Sequence, residues 1–193
     1  MGGIGIWSMH FIGNRAITLG DGSNDIQIVY NVPFTLISLL LPIVVLLIAF
    51  YSISFEEKAT LWRLVVGGLL TGSAVCAMHY VGQLGIANYH CRNDAGNIVG
   101  AAIIATFSAT LALSIFFRWK AAWMDSWWRR FLCACLLAGA VAGMHWTAAV
   151  GTSYMSNPEY VGQGSSQLSR SQTVIICAAL VCLLPDFCRR RLT

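Results

Sequence analysis

The chain has 193 residues, 57% of them hydrophobic and only 10% charged, where a soluble domain carries roughly a quarter charged. That balance excludes an ordinary soluble enzyme and points to an integral membrane protein in contact with the lipid bilayer. The net charge of +4 reads as topology, with no nucleic-acid partner implied.

Six apolar runs follow one another: Met1 to Ile17, Val32 to Ser54, Leu64 to Ala87, Ile98 to Phe117, Phe131 to Ser153 and Thr173 to Phe187. A helix needs about 20 residues to cross a hydrocarbon core of about 30 Å, and lipid offers no partner to unpaired backbone groups. The runs lack the polar alternation of barrel strands. The expected fold class is therefore all-α, a polytopic transmembrane helix bundle of six spans within a single domain over residues 1–193. Residues 189–193 are a short basic tail.

The first run carries "MHFIGN", Met9 to Asn14, and the second carries Pro42, a candidate kink point. The third ends in "MHYVGQ", Met78 to Gln83. An outer loop follows with His90, read as a solvated loop histidine, beside Cys91, the one cysteine of seven in an outer loop, so no disulfide framework is expected. After the fourth run a loop with Trp119, Trp123, Trp127 and Trp128 reads as an interfacial anchor. The fifth run carries "MHWTAA", Met144 to Ala149, and the sixth has Pro185 near its end.

Lys58, Arg63, Arg118, Lys120, Arg129, Arg130 and Arg189 to Arg191 gather on one side, against Arg15, Arg92 and Arg170 on the other. The positive-inside rule then gives a multi-pass protein of the plasma (cytoplasmic) membrane with its C-terminus cytoplasmic and its odd-numbered helices running outward.

The histidines His10, His79 and His145 are spaced by 69 and 66 residues, and each interval holds one outward helix and one return. Three repeated two-helix hairpins follow. Seven residues before each histidine stand Gly3, Gly72 and Ala138, and three after it Gly13, Gly82 and Ala148. These small residues share the histidine face and let helices approach closely. Four residues after it come Asn14 and Gln83, amides able to hold an imidazole, but Ala149 in the third copy. His79 is sixteen residues beyond Arg63 and His145 fifteen beyond Arg130, which at 1.5 Å per residue puts both about 22 to 24 Å from the inner boundary.

Ionisable side chains at membrane depth are costly and face the bundle interior. Three of them at matching depth, each preceded by a methionine, make His10, His79 and His145 with Met9, Met78 and Met144 a candidate metal set. Imidazole and thioether favour copper over magnesium or calcium. Successive residues point about 100° apart on a helix, so the histidines bind while the methionines pack, or the reverse. Phe11, Tyr80 and Trp146 read as walls around the site, and Cys76 lies one turn before His79.

The thrice-repeated Met-His-aromatic pattern resembles the MHYT domain, an integral membrane sensory module, over nearly the whole chain. The resemblance implies a bundle that binds copper through the motif residues and senses a diatomic gas such as oxygen, carbon monoxide or nitric oxide. It also implies coupling to a cytoplasmic signalling partner or an output domain. Tyrosine stands only at Tyr80 and the motif threonine only at Thr147, with Ile12 and Val81 in the other copies. Relatives of that family have a further span before the first motif helix, so the first helix here is expected to be truncated.

The residues themselves leave rivals open: copper transport or delivery, a membrane-embedded metal or haem oxidoreductase, and an interaction subunit whose histidines only pack. No cyclase, kinase or DNA-binding segment is recognisable, and no enzymatic activity of the chain's own is expected.

Overall fold

The computed structural model describes residues 2–14, 17, 28–54, 60–118, 127–160, 167–168 and 170–190. Lys58, Trp119, Lys120, Trp123 and Arg191, used above for topology and anchoring, lie outside them, as does Arg15.

Six helices are described: α1 (Gly2–Gly13), α2 (Val32–Ser54), α3 (Leu61–Leu84), α4 (Ala95–Arg118), α5 (Trp127–Val150) and α6 (Arg170–Arg190). The expected bounds of α2 are met, while α3, α4, α5 and α6 each begin about three residues before the apolar run does. Arg63 and Asn97 sit in first turns, where side chains reach beyond the apolar layer. Asp94 caps α4, its Oδ2 accepting from Asn97 N at 3.1 Å and its carbonyl from Ile98 N at 3.0 Å. α3 stops at Gly85, whose N–H turns back to the carbonyls of Val81 and Gly82, both at 3.2 Å.

The helices make up most of the described residues, as expected, and in the loops between them four short strands pair: β1 (Tyr30–Asn31), β2 (Tyr89–Asn93), β3 (Thr152–Ser156) and β4 (Gln167–Leu168). β1 runs antiparallel to β4, with Tyr30 opposite Leu168, and Tyr30 also bridges to Ile86. β2 pairs with β3. Of the ends expected at Ala87 and Ser153, Ser153 lies in β3, while Ala87 lies between α3 and β2 with its N–H donating to the Val29 carbonyl at 2.9 Å.

Contacts group into two compact units, one of Met1–Leu40, Met78–Arg92 and Thr152–Thr193, the other of Leu41–Ala77 and Asn93–Gly151. In the first, α1 packs on α6 around a core of Trp7, Phe11, Tyr30, Met78, Ile86, Tyr89 and Cys177. The Trp7 indole donates to Ser38 Oγ at 3.1 Å, and that hydroxyl donates to the Thr35 carbonyl at 2.8 Å. α2 continues through Pro42, whose nitrogen has no hydrogen to give the carbonyl of Ser38.

In the second unit α4 packs on α5, and Ile53, Leu64 and Leu113 form a small core. Helices α3 and α4 touch at Gly68 and Gly72, where a β-carbon would stand 2.8 Å from Thr110 Cα and 2.6 Å from Thr106 Cα respectively. Thr110 and Ser114 direct their hydroxyls back to the carbonyls of Thr106 and Thr110, at 2.8 and 2.7 Å. Two glycines four apart against the backbone of a facing helix is how helices associate where lipid removes the hydrophobic drive.

The distribution of polarity is inverted. Ser8, His10, Asn14, Ser38, His79, Gln83 and His145 are buried, while Leu47 (64% exposed), Ile103 (63%) and Phe107 (69%) face outward. Water would penalise that surface and lipid would not. Among the described residues three helices, over Val32–Ile53, Leu61–Leu84 and Ala95–Phe117, are long and apolar enough to cross a membrane. Trp127 and Trp128, at the start of α5, stack with centroids 4.3 Å apart and are exposed, as an interfacial pair would be.

Candidate metal centre

Each motif histidine sits near the end of its helix, three residues before the end of α1 for His10 and five before the ends of α3 and α5 for His79 and His145. At 1.5 Å per residue that is about one and a half turns or less, so the repeat seen in sequence is also a repeat of position along the helix.

In the first unit the rings of His10 and His79 meet edge to face, centroids 4.7 Å apart and planes at 73°, and neither has any solvent exposure. The close approach depends on Gly82, one turn after His79, against which the His10 ring lies. Asn14, one turn after His10, places its amide nitrogen 3.3 Å from His10 Nε2 and donates to the Tyr30 hydroxyl at 2.9 Å. With that amide orientation Nε2 accepts and the ring proton sits on Nδ1; with the amide turned about, Nε2 carries the proton. Amide and tautomer are set together, which decides which nitrogen has a lone pair to offer a metal.

Gln83, in the equivalent place on α3, acts differently. Its amide donates to Thr152 Oγ1 at 3.0 Å, joining α3 to β3. Of the two amides singled out by the repeat, only Asn14 contacts its own histidine among the bonds described. Tyr30 completes the Asn14 contact and carries no mark in sequence, being a loop tyrosine outside the repeat. Burial holds its hydroxyl far above the ordinary tyrosine range, so it stays neutral, with the Asn14 bond opposing the shift.

The methionines divide. Met78 is fully buried in the aromatic core with Trp7 and Phe11, and Met9 is half-buried. The aromatics divide too, because one residue along a helix turns the side chain about 100°. Phe11 is buried between Trp7 and Tyr30, with ring centroids 4.6 and 4.7 Å away, and Tyr80 is half-buried with its ring 5.0 Å from that of His79. Cys76 is half-buried one turn below His79.

In the second unit, α5 buries Met144 (1% exposed) and His145 (2%), while Trp146 turns outward at 52%. Thr147 donates to the carbonyl of Gly143 at 2.8 Å, so the motif threonine serves its own helix.

The sequence profile of the family described as MHYT, bacterial signalling protein N terminal repeat, matches residues 3–67 and 72–127. The chain belongs to the MHYT family. The two matched repeats begin at Gly3 and Gly72, each seven residues before its histidine, so they carry the same register that the motif spacing gave. The third copy lies beyond both matches.

The bifunctional diguanylate cyclase/cyclic di-GMP phosphodiesterase MucR of Pseudomonas aeruginosa is 34% identical over 147 residues, 75% of this chain and 20% of MucR. The signaling protein YkoW of Bacillus subtilis is 26% identical over 115 residues, 60% of this chain and 14% of YkoW. The chain thus spans about a fifth or less of the length of these curated relatives. No solved structure matches it. Family membership and the apolar helices together make this MHYT chain a membrane protein of signalling type.

Proposed function

We propose that the chain is a membrane sensory input module that binds copper and responds to a diatomic gas or to redox state. The observation that carries this is the contact of His10 with His79, two imidazoles without solvent exposure packed ring to ring in a chain whose outer surface is apolar. Buried imidazoles four to five ångströms apart suit a shared ion of borderline character, and the absence of a carboxylate at the motif disfavours magnesium and calcium. Repeat register makes His145 the third imidazole of the set, with Met9, Met78 and Met144 beside the three histidines as packing or soft ligands. Copper held by these residues would supply redox chemistry and affinity for a small ligand; Asn14 and Tyr30 would fix how His10 presents its nitrogen.

All six helices are read as spans in a plasma membrane, with the C-terminus on the cytoplasmic side. The chain itself is read as non-enzymatic. Its relatives join a similar segment to much longer proteins, one named for cyclic di-GMP synthesis and hydrolysis, which supports output through a partner or a further domain. Such coupling requires two helix arrangements that differ in ligand affinity.

The test is elemental analysis of the protein purified in detergent, beside a variant with His10, His79 and His145 changed to alanine. Near-stoichiometric copper in the first and none in the second supports the reading, and gas titrations followed by optical and electron paramagnetic spectroscopy then identify the ligand. A folded protein that takes up no copper on reconstitution would leave the histidines as packing residues.

A further inference from the structure

The outer two-stranded sheet brings together a histidine and a methionine that are far apart in sequence. Asp94 N donates to the Gly151 carbonyl at 2.8 Å and Asn157 N to the Asn88 carbonyl at 3.1 Å. These two bonds bracket β2 and β3 and fit one antiparallel register without a bulge. Stepping along it by twos from Asn88 opposite Asn157 sets His90 opposite Met155 and Arg92 opposite Ser153. The residues between set Cys91 opposite Tyr154.

Burial follows this alternation. His90, Arg92, Ser153 and Met155 are exposed, whereas Tyr89, Cys91, Thr152 and Tyr154 are buried or half-buried. Cys91, although adjacent to His90, points to the other face and is not its partner. Residues opposite each other in such a pair have Cα atoms about 5.5 Å apart and side chains on one face.

We infer that His90 and Met155 form a solvent-facing site for a soft monovalent cation, copper(I) or silver(I). Both side chains reach from adjacent strands and offer one imidazole nitrogen and one thioether sulfur, the pairing that soft univalent metals prefer over hard divalent ones. Arg92 shares the face two residues along, about 6.6 Å away, and its fixed charge further disfavours a doubly charged ion. Met155, 54% exposed, is the outward methionine on β3, so the ion would be reached directly from water. This site stands apart from the buried histidines and does not require that they bind metal.

The experiment labels the full chain with 13C-methyl methionine in detergent and titrates it with silver(I), a redox-inert ion. The Met155 methyl resonance, assigned by its loss in Met155→Leu, is expected to shift and saturate at one equivalent. His90→Ala is expected to weaken that response at least tenfold, and the response should persist when His10, His79 and His145 are alanine. Because the resonance reports the site in the unmodified chain, the result does not depend on that triple variant folding. A Met155 signal unmoved at several equivalents, or moving equally in His90→Ala, overturns the inference. Response of Met9, Met78 or Met144 without Met155 also overturns it while supporting the buried site.

Discussion

The His10 imidazole occupies the space that a side chain at Gly82 would need: a β-carbon there would stand 2.6 Å from Nε2 and 3.1 Å from Cδ2. Both partners are buried, so the ring has no exposed side to which it can retreat. Gly82→Ala is expected to destabilise the protein by about 1–3 kcal/mol through overpacking, because the buried ring must be displaced. Gly139→Ala in α5, where a β-carbon meets nothing within 4 Å, is the control and should be neutral or stabilising. Thermal unfolding in detergent decides it, and equal melting temperatures for the two variants would remove the packing role assigned to Gly82.

Asn14 joins His10 to Tyr30 within a wholly buried set. Tyr30→Phe should cost about 0.5–1.5 kcal/mol, and Asn14→Ala about 1–3 kcal/mol because it deprives two buried groups at once. In the double variant the costs should not add, leaving a coupling of about 1 kcal/mol measured by denaturant or thermal unfolding. Additive effects would show that the 2.9 Å contact carries no net stability.

Much of this was legible before any coordinates. The motif histidines, their small neighbours and the repeat register follow from apolar periodicity, because a buried polar residue in an apolar run stands out, and Gly82 shows why the small residue three positions on is small. Tyr30 was not legible: it lies in a loop, where no period marks which way a residue points. The strands were missed for the same reason, since pairing of β2 with β3 is set between segments about sixty residues apart and leaves little local pattern. Trp146 shows the opposite limit, because sharing a motif position with Phe11 did not give it the same burial. The neighbouring element decides what an aromatic packs against.

Burial pushes the Cys91 thiol up to about 11, with its strand partner Tyr154 raised to about 12, chiefly by burial and then by Cys91 itself. At pH 8 Cys91 should hold about a hundredth of the thiolate of an ordinary thiol, partly offset by the greater nucleophilicity of a high-pKa thiolate, leaving alkylation about tenfold slow. The folded pKa is raised, so the folded state binds the proton more tightly than the unfolded chain does. The stability that Cys91 contributes is therefore constant below pH 9 and is lost as pH rises from 9 to 11. Iodoacetamide labelling followed by mass spectrometry at pH 8 and at pH 11 checks the thiol, and labelling at pH 8 as fast as in a denatured sample would contradict its burial.

Glycines on α3 should differ in what they tolerate, according to what faces them. A β-carbon at Gly67 would meet the tip of Ile53, Cδ1 at 2.5 Å, a flexible end that can turn aside. At Gly72 it would meet the backbone of α4, Thr106 Cα at 2.6 Å and N at 2.8 Å, which can yield only if the helices separate. Separation would also weaken the dispersion contacts that hold helices together in lipid, where no hydrophobic gain compensates. Gly67→Ala is thus expected to cost less than about 1 kcal/mol and Gly72→Ala about 2–3 kcal/mol, with Gly68→Ala nearer the second. Their order in resistance to unfolding by denaturing detergent is the measurement, and Gly67→Ala proving as damaging as Gly72→Ala would mean that the close contact of α3 with α4 is not what limits stability.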